Sequence, residues 1–199
     1  PDKGQTSLFA VDVKTGRAET IIGPGTVAGF EAAGDRIFFE RNSLRSPTEI
    51  YSVKSDGTGE QAVTRINAAK VAAARMGDVE QFSFPGWNNE TVFGIIVKPV
   101  DFDPAKKYPV AFLIHGGPQG SFGNDFHYRW NPQAYAGAGY AAVMIDFHGS
   151  TGYGQTFCDS IRGDWGGKPL EDLKKGLSAA LKKYPWMDGE KVGALGASY

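Results

Sequence analysis

The sequence predicts an α/β fold: a layered domain with a mostly parallel sheet, preceded by a smaller part built of strands alone. Three observations carry that expectation. From about residue 78 onward, nearly continuous apolar runs alternate with helical patterns, as expected of strands covered on both faces. Before residue 66, short strand candidates are separated by tight-turn signals with no helical period between them. Near the far end, an apolar run leads into Gly196-Ala197-Ser198-Tyr199, four positions of the Gly-x-Ser-x-Gly turn that lifts a serine above a sheet.

In the first part, Ser7 to Val13 alternates imperfectly and is followed by the turn signal Lys14-Thr15-Gly16. Asp35 to Glu40 is a second strand candidate, and Glu49 to Val53 a third, closed by Ser55-Asp56-Gly57-Thr58-Gly59. An offset of 42 positions lays Leu8 on Ile50, Phe9 on Tyr51 and Val11 on Val53. That spacing suits a four-stranded propeller blade of roughly 40 to 45 residues, and equally a small antiparallel sheet.

In the second part, Val79 to Phe84 and Thr91 to Val97 read as strands around a Pro85-Gly86-Trp87-Asn88-Asn89 turn. Tyr108 to Ile114 and Tyr140 to Phe147 are the apolar strands, with a short helix from Asn131 to Gly139 between them. Pro169 to Tyr184 is an amphipathic helix, striped by Leu170, Leu173, Leu177, Leu181 and Tyr184. Glu171 and Asp172 sit in its first turn, Lys182 and Lys183 in its last, and Pro185 ends it. Asp188-Gly189 turns the chain, and Val192 to Leu195 leads into the serine. The expected division is a first domain over 1–70 and a second over 71–199.

A net charge of -1, without runs of like charge, gives no general attraction to nucleic acid or to an anionic membrane. No apolar stretch reaches the roughly 18 residues that cross a bilayer as a helix. A single cysteine, Cys158, cannot form an internal disulfide and reads as a buried free thiol. The start at Pro1-Asp2-Lys3-Gly4 reads as a cut or trimmed end.

Acyl transfer through a serine needs a nucleophile, a base, and donors for the oxyanion. Ser198 is the candidate nucleophile. His115-Gly116-Gly117-Pro118 follows an early apolar strand, where such hydrolases place an oxyanion loop. Gly117 and Tyr199 are the candidate donors, each through its backbone N–H. The base follows the serine in this architecture, yet His115, His127 and His148 all precede it. His115 reads as holding the loop, His127 as surface packing and His148 as a satisfied loop histidine. Their scatter predicts no zinc site, and no phosphate-binding glycine motif is present, so no metal and no cofactor is expected.

The motifs His115-Gly-Gly-Pro-Gln-Gly120, Arg129-Trp-Asn-Pro-Gln133, Gly149-Ser-Thr-Gly-Tyr-Gly154, Asp164-Trp-Gly-Gly167 and Gly196-Ala-Ser-Tyr199 occur in that order. In this the chain resembles the prolyl oligopeptidase family of serine peptidases (S9), strongly over residues 78 to 199 and weakly before. It is most similar to the branch holding dipeptidyl-peptidase V and acylaminoacyl peptidases. The resemblance implies a β-propeller, of which residues 1–70 are the last part, joined to an α/β-hydrolase domain that here ends at the nucleophile elbow. It implies a serine exopeptidase releasing dipeptides, or acylated residues, from the amino termini of short peptides. Members with tyrosine in place of His115 use that side chain at the oxyanion, so here the Gly117 N–H is carried over. Trp130 and Tyr199 are expected to border the substrate pocket. The triad aspartate and histidine are expected beyond residue 199, leaving the isolated chain inactive and dependent on the rest of its polypeptide. A bacterial periplasmic or secreted setting is favoured over the cytoplasm, and the resemblance allows a homo-oligomer. A carboxylesterase or lipase on the same fold, and a non-catalytic fragment, are the alternative readings.

Overall fold

A computed structural model describes residues 1–199, which divide into two compact units. The first comprises Pro1–Ala74 with Asn124–Trp130, and the second comprises Arg75–Gly123 with Asn131–Tyr199.

In the first unit, β-branched and aromatic residues between turn residues form six strands. These are β1 (Leu8–Val11), β2 (Ala18–Ile22), β3 (Thr26–Ala33), β4 (Arg36–Ser43), β5 (Ser46–Lys54) and β6 (Gln61–Ala62). Strands β3 to β6 make one antiparallel sheet in sequence order, while β1 and β2 pair separately. Asp12 shapes the β1–β2 turn by accepting from the N–H groups of Lys14 and Thr15, both at 2.9 Å. Leu8, Ile22, Val27, Phe39 and Val53 form the core. A short helix, α1 (Ala68–Ala73), follows.

The offset of 42 does not survive as a structural repeat. It pairs buried Leu8 with exposed Ile50, and exposed Val11 with Val53, which is fully buried. Side chains alternate along a strand, so a register wrong by one residue exchanges the two faces. The structure holds two antiparallel sheets here, one of two strands and one of four. Segment 124–130 joins this unit through Asn124, whose Oδ1 accepts from Leu44 N at 3.0 Å, and through Phe126 N, which donates to Asn42 Oδ1 at 2.7 Å.

The second unit contains β7 (Val79–Pro85), β8 (Thr91–Val97), β9 (Tyr108–Ile114), β10 (Ala141–Asp146) and β11 (Met187–Gly196). Their order in the sheet is β11-β9-β10-β8-β7. Only the β9–β10 and β9–β11 pairs are parallel; β8 and β7 add antiparallel, so the sheet is mixed rather than mostly parallel. Asp188-Gly189 is an irregularity inside β11, not a turn ahead of it. Helix α2 (Pro132–Gly137) is capped by Asn131, whose Oδ1 accepts from Gln133 N at 2.9 Å. Helix α3 (Gln155–Asp159) is a single short turn of helix.

Helix α4 (Gly167–Lys183) packs on β7, β8 and β10, and Leu173, Leu177, Leu181 and Tyr184 of the expected stripe lie against the core. Leu170 is half exposed, while Asp172, Gly176 and Ala180 are buried. Gly176 permits the close approach, because a Cβ there would stand 2.7 Å from both Ile145 Cδ1 and Phe84 Cζ. Asp172 is no solvated dipole partner: it lies inside the fold, accepting from the N–H groups of Trp87 and His148 at 2.7 Å each.

Candidate active site

The parallel strands β9 and β11 end side by side, with Gly196 in register with Ile114. The residues that leave them therefore start as neighbours. Ser198 stands two residues beyond β11 at φ 75, a left-handed conformation costly for a residue with a Cβ, and it is exposed. The positive φ breaks the extended course of the backbone just beyond the strand. Gly196 must be glycine here, because a Cβ would meet the Ile114 carbonyl oxygen at 2.8 Å.

The chain leaving β9 passes directly against this turn. A Cβ on Gly116 would lie 2.8 Å from the Ala197 carbonyl oxygen, 3.2 Å from Ser198 Cβ and 3.7 Å from Ser198 Oγ. Gly117 takes φ 131, which again favours glycine. Gly116 thus brings bare backbone to the serine, with Gly117 next in the chain.

His115 orients that backbone. Its Nδ1 donates to the Gly116 carbonyl oxygen at 2.8 Å, which leaves Nε2 to accept from the Ser150 hydroxyl at 2.9 Å. The Gly116 carbonyl and the Gly117 N–H belong to one planar peptide, so fixing the first aims the second. The ring also stacks on Phe147, with centroids 4.3 Å apart and planes 9° from parallel. Burial pushes the His115 pKa down, and burial likewise pushes the Asp146 carboxyl up, against hydrogen bonds from Tyr153 and Ser121. Their 3.8 Å separation is therefore a contact to a neutral imidazole, not an ion pair.

Tyr199 is partly exposed; its hydroxyl donates to the Trp165 carbonyl and its ring lies 6.1 Å from that of Trp165. Trp130 falls in the segment that packs with the first unit. His127 is exposed, its Nδ1 accepting from the N–H groups of Arg129 and Trp130. His148 is fully buried between Asp172, at 2.5 Å from Nδ1, and Glu90, at 3.3 Å from Nε2. Each imidazole is engaged away from Ser198.

Residue-by-residue reading missed Ser150, Phe147, Asp172 and Trp165. Ser150 and Trp165 lie within the quoted motifs, where their presence was visible but not their contacts.

Ser198, at positive φ just beyond a parallel strand, thus stands against the glycine loop that leaves the neighbouring strand. Residues 126–199 match the prolyl oligopeptidase family, peptidase S9. Dipeptidyl-peptidase 5 of Schizosaccharomyces pombe is 51% identical over 163 residues, covering 82% of this chain and 23% of that protein. Dipeptidyl-peptidase 5 of Porphyromonas gingivalis is 32% identical over 198 residues, 99% of this chain and 29% of its own length. The acylaminoacyl peptidase of Pyrococcus horikoshii superposes with a TM-score of 0.86 at 27% identity, across 100% of this chain and 31% of that one. The chain thus spans less than a third of the length of each of these proteins, and it belongs to the prolyl oligopeptidase family.

Proposed function

We propose that this chain supplies the nucleophile and oxyanion side of a serine exopeptidase that releases dipeptides, or acylated residues, from peptide amino termini. The observation that carries this reading is the approach of Gly116 to Ser198, so close that a Cβ on that glycine would lie 3.7 Å from Ser198 Oγ, which sets loop backbone beside the hydroxyl. Ser198 Oγ attacks the scissile carbonyl as a base takes its proton, giving a tetrahedral intermediate and then an acyl-serine that water hydrolyses. The negative oxygen is met by the N–H groups of Gly117 and Tyr199, already oriented and needing no reorganisation. With the three imidazoles committed elsewhere, the base and its orienting carboxylate come from polypeptide outside residues 1–199, and this chain alone is unreactive. The first unit, with its four-stranded antiparallel sheet, belongs to a β-propeller that admits short peptides, a reading supported by the resemblance to the family. Tyr199 borders the pocket for the substrate side chain.

The test is Ser198→Ala in the native full-length protein, assayed with a dipeptidyl p-nitroanilide and with an N-acetylaminoacyl one. Turnover should fall at least about a thousandfold while the fold is retained. In parallel, a fluorophosphonate probe should label the full-length protein and not residues 1–199 alone. Near-normal hydrolysis by the mutant sinks the assignment, and labelling of the 199-residue chain sinks the claim that the base lies elsewhere.

A further inference from the structure

The buried cluster around His148 has no part in the chemistry just described, yet its contacts lead to the oxyanion loop. Asp172 Oδ2 accepts twice from one residue, from His148 N at 2.7 Å and from Nδ1 at 2.5 Å. On the opposite side, Nε2 faces Glu90 Oε2 at 3.3 Å. A carboxylate can only accept, so satisfying both ring nitrogens requires a proton on each. The geometry alone makes His148 a cation.

His148 sits in a turn closed by Ser150 N donating to the Phe147 carbonyl oxygen at 2.9 Å. Both ends of that turn hold His115: Phe147 stacks on the ring and Ser150 donates to Nε2. His115 in turn fixes the peptide that carries the Gly117 N–H. From Asp172 on α4 to Gly117, every link is a short hydrogen bond or a parallel ring stack.

We propose that His148, held as a buried imidazolium between Asp172 and Glu90, is a positioning residue for the oxyanion loop, and that loss of its proton loosens Gly117 and slows acylation. This rests on the function proposed above. The proton lost is the one on Nε2, which passes to solvent beside the half-exposed Glu90, leaving a lone pair opposed to a carboxylate. The other groups around the ring do not replace it. Helix α4 contributes Asp172 and two ammonium groups further out, Lys168 over Trp87 and Lys175 on the Gly86 carbonyl and Glu171. The turn before β8 contributes Glu90 and the edge of Trp87, and α3 stacks the uncharged Phe157 ring at 4.2 Å. Burial would lower the His148 pKa, but the hydrogen bonds and charges of Asp172 and Glu90 outweigh it and raise it.

The experiment compares the native full-length protein with Glu90→Gln, a change at a half-exposed side chain that should not disturb folding. Two readouts are followed against pH: kcat/KM on a dipeptidyl p-nitroanilide, and hydrogen–deuterium exchange of the peptide spanning residues 115–120, corrected for intrinsic rates. Both should change with one alkaline midpoint, and Glu90→Gln should move both down by about one pH unit. Exchange that stays flat, midpoints unmoved by the substitution, or exchange that shifts without the rate would each overturn the proposal. Hydrolysis surviving Ser198→Ala would instead remove the assignment of the nucleophile, while the exchange midpoint would still judge the link from His148 to the loop.

Discussion

Strands β9 and β10 run parallel and adjacent, and each delivers the chain to a buried histidine. His115 leaves 6% of its surface exposed and His148 none, so burial alone would make both neutral. They differ in what they face. His115 meets a carbonyl and a hydroxyl, which together ask for one proton on the ring. His148 meets two carboxylates, which ask for two. One imidazole thus serves as a neutral strut and the other as a buried cation, each just beyond the end of one of two neighbouring strands. Burial sets the cost of charge, and the partners decide whether it is met.

The largest expected effect breaks the strut. His115→Ala frees the Gly116 carbonyl and with it the aim of the Gly117 N–H. A hundred- to thousandfold loss in kcat is expected, on the order of that seen when one oxyanion donor is removed, with KM little changed. Steady-state kinetics of the full-length protein checks this, and a loss confined to KM would mean that His115 does not orient the donor.

Breaking the cation should appear first in stability. Asp172→Ala leaves an imidazolium without its nearer counter-charge and orphans the N–H groups of Trp87 and His148, a loss of about 3–5 kcal/mol. Urea unfolding measures it, and a change below about 1 kcal/mol would show that Asp172 is not the anchor described here.

The smallest effect sharpens the comparison through its sign. The raised His148 pKa adds stability that is full below about pH 6.5 and is lost as pH rises through the raised value. The depressed His115 pKa acts oppositely: its contribution is full above about pH 6.5 and is lost as pH falls from there toward the lowered value. Glu90→Gln should therefore destabilise below neutrality by about 1 kcal/mol or less, since Glu90 is half exposed, and the difference should vanish on the alkaline side. Ser150→Ala, which orphans His115 Nε2, should cost about 1–3 kcal/mol without that alkaline convergence. Parallel urea titrations across pH separate the two, and a Glu90→Gln difference constant with pH would contradict the charged reading of His148.

Strands β8 and β9 match their predicted ends because an uninterrupted apolar run flanked by turn residues has one favourable fate in water. Strands β2 and β3 escaped notice. Ala18–Ile22 and Thr26–Ala33 mix small, charged and apolar residues, and they become strands by pairing with the strand next to each in sequence, β1 and β4. The offset of 42 was a likeness of composition that ignored the alternation of faces. On α4, the leucine stripe does face the core from Leu173 onward, but Leu170 is half exposed, and the buried positions include a glycine, an alanine and a carboxylate with buried donors to meet.

The sequence by itself determined the candidate nucleophile, the glycine loop and the family, because backbone strain and close approach tolerate so few residue types that their spacing can be read directly. Only the tertiary structure decided which histidine is charged and what holds the loop in place. A protonation state depends on partners brought within a hydrogen bond's length, and Glu90, His148 and Asp172 become neighbours only once strand, turn and helix have packed.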